Sequence, residues 1–291
     1  DGRGGFDKAS YQNEDSGINV LMAAGIVVGG PNTGTDTLLS IESITGTEFA
    51  DIYNATNFSS TSTNAGSNGT FNEFEGGGGN DTINGRGGID TVEYDNVGRG
   101  VGVDLAEGVS VGGAGNDTLI SIENVSGSLF GDTLLGSRGA NVLRGGDGGD
   151  AIGGREGADK LFGDKGDDLL SGGLGADSLT GGAGKDSFRF DSALGSANID
   201  RITDFRVVDD TIELDRTIFA TFGTTGALAA TAFKSIATGG AIDGNDRIVY
   251  NRTTGALFYD ANGSTNGLGD AIQFATLGKD LALTASDFVV I

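Results

Sequence analysis

A nine-residue repeat constrains the fold of this chain more than any other feature. Seven consecutive frames run without a gap from Gly127 to Arg189, each with Gly at position 1 and an apolar residue at position 8. Position 6 is Asp in every frame except one, where it is Asn141. A unit this short cannot bury its apolar side chain alone, so neighbouring copies must stack on one another. The repeat therefore predicts a solenoid.

Each nonapeptide is predicted to form half a coil. Glycines at positions 1, 2 and 4 allow a tight turn whose carbonyl groups converge, and position 6 supplies a carboxylate at the end of that turn. Positions 7 to 9 then form a short strand in which position 8 points inward. Equivalent turns recur every two nonapeptides and stack at a strand spacing of roughly 4.8 Å. The prediction is an all-β fold, a solenoid of stacked coils.

This stacking brings carboxylates of like charge together. They are predicted to lie on two edges, one with Asp132, Asp150, Asp168 and Asp186 and the other with Asn141, Asp159 and Asp177. At about 5 Å, a pair of like charges costs on the order of 1–3 kcal/mol at effective dielectric constants of 20 to 80. A divalent cation that binds carboxylate and carbonyl oxygens removes this repulsion, and Ca²⁺ suits flexible, carbonyl-rich loops better than Mg²⁺. Several bound Ca²⁺ ions are therefore expected.

The apolar core is too thin to support the fold by itself. One buried Leu or Ile in nine residues contributes about 2–3 kcal/mol, whereas ordering the backbone costs about 1–2 kcal/mol for every residue. The binding free energy of the cation must supply the difference. We therefore expect this region to be expanded without calcium and to fold when it binds calcium.

The composition excludes several classes of function. The chain has 18 Lys and Arg against 41 Asp and Glu, a net charge of −23, which disfavours binding to nucleic acid or anionic membranes. It has no His and no Cys, which removes His-based acid–base catalysis, disulfides and the usual zinc sites. The G-x-S-x-G motif from Gly108 to Gly112 lacks a His partner and is interpreted as a turn of a strand. We predict no enzymatic activity and no transmembrane segment.

Three regions are predicted along the chain. Similar nonapeptides begin at Gly76, Gly85 and Gly112, and a longer repeat of about 81–83 residues relates Asp7, Asp36 and Asp51 to Asp90, Asp117 and Asp132. The predicted regions are a degenerate long repeat at 1–75 with a polar insertion at 57–69, a β-roll at 76–189, and a β-rich C-terminal cap at 190–291. The cap should shield the last coil. The glycine motif is already under way at residue 2, which suggests a piece of a longer chain.

The frames resemble the nonapeptides of the RTX (repeats-in-toxin) family, and the tail is similar to that of serralysin-type proteins. The resemblance rests on the seven frames, on the segments IDRITDF, DRIVYN and GALFYDA, and on the closing DFVVI. It implies a parallel β-roll (right-handed β-solenoid) with calcium between the turns, and export by a type I secretion system that reads an uncleaved C-terminal signal. Asp287 and the four apolar residues after it are similar to that signal. The histidine-rich zinc motif of serralysins is absent, so their protease domain is not expected here.

The resemblance also implies which residues bind calcium. In that family, the Asp at position 6 supplies the carboxylate, and the Asp of an I-x-D-F segment completes a site with the last turns. The residues that carry these roles here are Asp81, Asp90, Asp117, Asp132, Asp150, Asp159, Asp168, Asp177, Asp186 and Asp204.

Three functions remain open on the sequence. The first is a calcium-binding module, secreted through a type I apparatus, that folds outside the cell. The second is a surface-layer or biofilm matrix protein whose calcium-loaded rolls associate with one another at the cell surface. The third is the C-terminal region of a secreted enzyme whose catalytic domain lies upstream. Each predicts an extracellular location with calcium as the main partner.

Overall fold

The computed structural model describes residues 2, 6–57, 71–113, 115–263 and 268–291. The chain divides into two compact units, the first formed by Asp1–Ser137 with Val142–Gly148 and the second by Arg138–Asn141 with Gly149–Ile291. The predicted region limits at 75/76 and 189/190 therefore fall inside these units. The predicted polar insertion lies outside the described residues, except for Asn57. Within the described part, no helix is long and apolar enough to cross a membrane.

Among its described residues, the first unit has 15 strands and one 3₁₀ turn, at Met22–Ala24. The strands are β1 (Lys8–Ser10), β2 (Asn19–Leu21), β3 (Ile26–Val28), β4 (Thr35–Thr37), β5 (Ser43–Thr45), β6 (Ile52–Asn54), β7 (Asn72–Glu75), β8 (Thr82–Asn84), β9 (Asp90–Glu93), β10 (Val101–Asp104), β11 (Val109–Gly112), β12 (Thr118–Ile120), β13 (Asn124–Ser126), β14 (Thr133–Leu135) and β15 (Val142–Asp147). One sheet is entirely parallel, in the order β1-β5-β7-β9-β13-β15. Successive coils therefore add one strand each to this sheet.

The second sheet of the first unit mixes parallel and antiparallel pairs. β6 pairs in parallel with β2 and β8, and β8 pairs in parallel with β12. Two antiparallel meanders, β2-β3-β4 and β10-β11-β12, extend this sheet. Each meander belongs to one of the two long copies, so the first copy folds like the second. The 81–83-residue repeat is thus a pair of roll coils with a three-stranded meander.

In the part of the second unit that the structure describes there are 13 strands and three 3₁₀ turns, at Ala230–Ala232, Leu268–Asp270 and Ala285–Asp287. The strands are β16 (Ala151–Gly153), β17 (Lys160–Lys165), β18 (Leu169–Ser171), β19 (Ser178–Ala183), β20 (Ser187–Phe190), β21 (Asp200–Ile202), β22 (Thr211–Leu214), β23 (Gly226–Ala227), β24 (Phe233–Ile236), β25 (Ile248–Asn251), β26 (Ala256–Tyr259), β27 (Ile272–Thr276) and β28 (Phe288–Val290). Its roll strands pair in parallel with residues 18 positions apart, as in Ala151↔Leu169 and Lys160↔Ser178. The predicted coil of two nonapeptides is confirmed.

Position 8 of the repeat forms the core of the roll. All seven of its side chains are at most 2% exposed, namely Leu134, Leu143, Ile152, Leu161, Leu170, Leu179 and Phe188. The flanking positions alternate outward, as in the intermediate, buried, intermediate pattern of β16 and β18. This follows from the alternation of side chains along a strand, so the predicted inward column is confirmed.

The C-terminal segment has a different architecture, as the loss of periodicity predicted. Strands β24 to β27 form a mostly antiparallel extension of one sheet, and β28 inserts between β22 and β23 in the other. Phe274 packs edge-on against Phe190 and Phe219, with ring centroids 5.0 and 5.2 Å apart. A 3₁₀ turn at Ala230–Ala232 leads into β24. An aromatic core thus replaces the thin aliphatic column.

Candidate calcium-binding sites

The aspartates at position 6 form two hydrogen-bonded ladders in the second unit. On one edge, the backbone N–H of Asp150 donates to Asp168 Oδ1 at 2.8 Å, and that of Asp168 donates to Asp186 Oδ1 at 3.1 Å. On the other edge, the N–H of Asn141 donates to Asp159 Oδ1 and that of Asp159 to Asp177 Oδ1, both at 2.8 Å. The predicted division into two edges is confirmed for these residues. Each carboxylate therefore ties its own coil to the preceding one.

The same arrangement occurs in the first unit. The N–H of Asp51 donates to Asp81 Oδ1 at 2.8 Å, and that of Asp81 donates to Asp117 Oδ1 at 3.0 Å. On the opposite edge, Asp90 Oδ1 accepts from the N–H of Asn72 at 3.0 Å. Coil stacking in both units thus uses only one oxygen of each carboxylate.

The second carboxylate oxygen of several ladder residues has no hydrogen-bond donor among the described residues. Oδ2 is buried without a hydrogen-bond partner in a group of residues that are at most 3% exposed: Asp81, Asp90, Asp159, Asp168 and Asp177. An unsatisfied, buried, anionic oxygen is costly unless a cation or a proton compensates it. These oxygens are therefore the candidate ligand atoms of the sites.

Glycine at position 1 leaves a space, here called the cradle, beside the Oδ2 atom of the ladder Asp. A Cβ atom on Gly163 would lie 2.2 Å from Asp168 Oδ2 and 2.5 Å from the carbonyl oxygen of Gly181. A Cβ atom on Gly154 would likewise lie 2.4 Å from Asp159 Oδ2 and 2.5 Å from the carbonyl oxygen of Gly172. Carboxylate and carbonyl oxygens from successive coils therefore converge on one space. An all-oxygen donor set of this kind fits Ca²⁺.

Burial raises the pKa of the ladder carboxyls. Desolvation, assisted by the charge of Asp177, raises the pKa of Asp159 to about 7, and desolvation with the charge of Asp186 raises that of Asp168 to about 6. In the first unit, desolvation and neighbouring carboxylates raise the pKa values of Asp81 and Asp90 to about 8. Without a cation, the folded ladder therefore holds protons that a water-exposed Asp would release.

Two predicted residues have other surroundings. Asp204 Oδ1 and Oδ2 accept from the N–H groups of Gly181 and Gly182 at 3.0 and 2.8 Å, so its carboxylate lies against the last nonapeptide turn. Asp132 accepts from the N–H of Val101 at 2.7 Å and also from the N–H and the hydroxyl of Ser128. Asp204 therefore adds a further carboxylate near the end of the Asp186 edge.

The ladders extend to residues that the nonapeptide spacing does not identify. The N–H of Asp177 donates to Asp200 Oδ1 at 3.1 Å, and that of Asp186 donates to Asp210 Oδ1 at 3.2 Å. In the first unit, Glu123 Oε2 accepts from the N–H of Asp90 at 2.9 Å. Asp200 is the first residue of β21 and Asp210 immediately precedes β22, so an Asp at the start of a short strand is the signal that could have identified them.

A separate acidic group lies in the first unit, where Glu75, Glu93 and Asp95 offer oxygens within 4.8 Å of one another. Glu75 already accepts from Lys8 Nζ at 2.8 Å, Thr45 Oγ1 at 2.7 Å and Asn96 Nδ2 at 2.7 Å. Protein donors therefore satisfy Glu75, unlike the ladder residues.

Comparison with known proteins supports the interpretation of the repeats. A family model described as the RTX calcium-binding nonapeptide repeat matches four stretches, at 69–92, 109–121, 126–161 and 153–188. No curated protein matches the chain significantly. Among solved structures, a subunit of the mannuronan C5-epimerase of Azotobacter vinelandii is 28% identical, with 55% of this chain and 78% of that chain covered and a TM-score of 0.25. The extracellular lipase LipA of Serratia marcescens is 14% identical, with 86% and 40% covered and a TM-score of 0.33.

The matched stretches include both ladders of the second unit and the Asp81 and Asp90 turns of the first. Their glycines, free carboxylate oxygens and inward apolar residues are the features that the nonapeptide requires. The resemblance stated from the sequence is thus confirmed for the repeats: the chain carries RTX calcium-binding nonapeptides folded as a parallel β-roll.

Proposed function

We propose that this chain is a secreted module whose β-roll folds when it binds calcium outside the cell, after export through a type I secretion system. The observation that carries the proposal is the set of buried Oδ2 atoms for which the described part of the chain supplies no donor. The proposed role requires no catalysis by these residues.

The ladder makes the metal-free roll unfavourable at neutral pH. Asp159 and Asp168 are each at most 2% exposed, and each has a further ladder acid one coil away. Burying a carboxylate without a counter-ion costs several kcal/mol. A Ca²⁺ ion between coils replaces this penalty with favourable coordination, so that binding and folding become one equilibrium.

This coupling suits an exported protein. Low calcium inside the cell would keep the acidic chain unfolded for passage through an exporter. Calcium sites of the extracellular class, with dissociation constants of about 10⁻⁴ to 10⁻³ M, would then be filled outside. The cap in the second unit offers Asp200 and Asp210 as acceptors for the last roll residues, which supports folding from that end.

Far-ultraviolet circular dichroism of the full chain, with chelator and with millimolar Ca²⁺, tests the folding step. We expect the strand signal to appear only with calcium, and millimolar Mg²⁺ serves as the matched control. A strand signal in chelator equal to the signal in calcium would refute the proposal.

The export step needs a separate test, because the terminal residues also contribute to the fold. β28 pairs with β22 through Ile212↔Phe288, so deletion of residues 287–291 removes a strand as well as the proposed signal. The control is Ile212→Ala, which weakens the same contact and leaves the terminus intact. We expect the deletion to abolish secretion and Ile212→Ala to preserve it. Equal loss of secretion in both variants would refute the signal assignment.

A further inference from the structure

Two turns of the first unit differ from the nonapeptide turn in the residues that surround the position-6 acid. The acids are Asp51 and Asp132, which occupy position 6 of the frames GTEFADIYN and GSLFGDTLL. Position 2 of these frames, where the repeat favours glycine, is Thr47 in one and Ser128 in the other, and each is 1% exposed. A buried hydroxyl group therefore lies in each turn.

The Ser128 turn holds the carboxylate of Asp132 with donors from the protein. The N–H of Ser128 donates to Asp132 Oδ2 at 2.5 Å, and its hydroxyl donates to Asp132 Oδ1 at 2.9 Å. Oδ1 also accepts from the N–H of Val101 at 2.7 Å. The hydroxyl oxygen in turn accepts from the N–H of Phe130 at 3.0 Å. Both oxygens of Asp132 are thus bonded to protein donors.

The Thr47 turn of the first long copy repeats this arrangement. The N–H of Thr47 donates to Asp51 Oδ2 at 2.7 Å, and its hydroxyl donates to Asp51 Oδ1 at 3.0 Å. Oδ1 also accepts from the N–H of Ile18 at 2.7 Å, and the N–H of Phe49 donates to the hydroxyl oxygen of Thr47 at 2.9 Å. Each of these bonds has a counterpart in the Ser128 turn, so the arrangement belongs to the long repeat.

A third acid, Asp117, is held by hydroxyl groups from outside its own turn. It is 3% exposed, and its Oδ2 accepts from the hydroxyl of Ser110 at 2.6 Å and from that of Tyr94 at 3.1 Å. Its Oδ1 accepts from the N–H of Asp81 at 3.0 Å, which is the bond of the ladder between coils. Both oxygens of Asp117 are therefore also bonded to protein donors.

The nonapeptide turn that ends in Asp177 differs in its backbone and in its donors. Its glycines at positions 2 and 4, Gly173 and Gly175, have φ of +94° and +144°. Phe130, at position 4 of the Ser128 turn, does not have a positive φ. Among the residues that the structure describes, none donates a hydrogen bond to Asp177 Oδ2. The two kinds of turn thus leave the carboxylate in different electrostatic surroundings.

Hydrogen-bond donors compete with a cation for the same oxygens. N–H and O–H hydrogens carry a partial positive charge, and hydrogen bonds to a carboxylate are among the stronger ones in proteins. A cation at Asp132 Oδ2 would have to displace the N–H of Ser128, and a cation at Asp117 Oδ2 would have to turn two hydroxyl groups away. A cation at Asp177 Oδ2 displaces no donor of this kind. Calcium therefore favours the nonapeptide turns.

We propose that hydroxyl groups take the place of calcium at Asp51, Asp117 and Asp132, so that these three carboxylates hold their coils without an ion. This division of the acids into two kinds rests on the proposed function, a roll that binds calcium. Asp117 and Asp132 are thereby removed from the calcium ligands expected from the sequence, although both lie in stretches that the family model matches. Their donor sets do not fit the ion that the nonapeptide implies.

Asp117→Asn in the full chain tests whether an ion is lost. The amide can accept from the N–H of Asp81 through Oδ1 and donate through Nδ2 to the two hydroxyl oxygens, because a hydroxyl group can rotate to accept. Native mass spectrometry in millimolar calcium, which resolves single ions, should find as many bound ions as in the parent. Asp168→Asn is the matched control and should bind at least one ion fewer. Circular dichroism in calcium verifies that each variant is folded.

A double variant, Ser128→Gly with Phe130→Gly, tests whether an ion is gained. It provides glycine at positions 2 and 4 and removes the hydroxyl, whereas Asp132 stays in place. We expect this variant to bind one calcium ion more than the parent. Ser128→Ala is its control, because it removes the hydroxyl but keeps Phe130 at position 4, so the number of bound ions should not change.

Loss of an ion from a folded Asp117→Asn chain would overturn the proposal, and so would a double variant that gains no ion. If Asp117→Asn does not fold, the double variant alone decides. A parent chain that binds no calcium would instead contradict the proposed function. In that case, a gain of one ion in the double variant would still support the replacement of calcium by a hydroxyl group at Asp132.

Discussion

Replacing Asp168 with Asn should change the stability of the roll in opposite directions with and without calcium. Desolvation and the charge of Asp186 raise the pKa of Asp168 from 3.8 to about 6. A group whose pKa is higher in the folded state stabilises the fold below its unfolded pKa, and this contribution is lost as the pH rises through the folded value. At about pH 7.5 the carboxyl is ionised, and a pKa shift of about two units then lowers the unfolding free energy of the metal-free fold by about 3 kcal/mol.

Asp168→Asn removes that cost and keeps the ladder. The amide Oδ1 can still accept the N–H of Asp150, which donates to Asp168 Oδ1 at 2.8 Å. Nδ2 then lies where Oδ2 lay, beside the carbonyl oxygen of Gly181 that closes the same cradle. In chelator, the variant should therefore gain up to about 3 kcal/mol of unfolding free energy. In calcium, it should lose stability, because an anionic ligand is replaced by a neutral donor.

The assay is urea unfolding of the full chain at about pH 7.5, in chelator and in saturating calcium, followed by circular dichroism. If the chelated parent is already unfolded, the gain appears as strand signal that the parent lacks. The control is Asp167→Asn, an equal change of charge on the neighbouring, exposed residue. The reasoning is refuted if both variants have the same unfolding free energy in chelator. It is also refuted if Asp168→Asn, in calcium, unfolds at the same urea concentration as the parent.

Three further predictions concern the glycines, the core and pH. Gly175→Ala should prevent folding of the roll in calcium, because φ of Gly175 is +144° and the new Cβ atom would lie 1.5 Å from Gly157 O. The control is Gly195→Ala, where the described residues place no atom within 4 Å of a Cβ. Thermal unfolding should show little effect of this control. Leu170→Ala should cost about 2–5 kcal/mol in urea unfolding with calcium, whereas Leu174→Ala, at a residue 46% exposed, should cost little. In chelator, acidification from about pH 8 to pH 5 should increase the strand signal, because protonation of the buried ladder favours the fold; a constant or falling signal would contradict this.

The repeating part of the fold could be predicted because every nonapeptide has the same residue types at its turn and strand positions, and so favours the same local structure. Glycine at the turn, Asp at position 6 and an apolar residue at position 8 agree on one coil, and the structure has Leu161 and Leu170 inward and Asp159 and Asp168 on opposite edges. Strict periodicity also determined the pairing of residues 18 apart. These features could be predicted because the local structure that each nonapeptide favours agrees with the structure of the whole roll.

The ends of the ladders could not be predicted by counting. Asp200 lies 23 residues after Asp177 and Asp210 lies 24 after Asp186, because longer connections separate the strands there. The meanders were also missed, since a long repeat shows that two segments are alike but not how their strands pair. The ligand role of each position-6 Asp remains a prediction that the calcium experiments above address.

The strand lengths of the roll determine how its length can vary. In the second unit, β17 and β19 have six residues, whereas β16 and β18 on the other sheet have three. Loss of one nonapeptide would move every preceding strand to the sheet of the other type, whereas loss of two would restore the original pairing. The pairing of residues 18 apart therefore favours a roll that lengthens or shortens in steps of one whole coil.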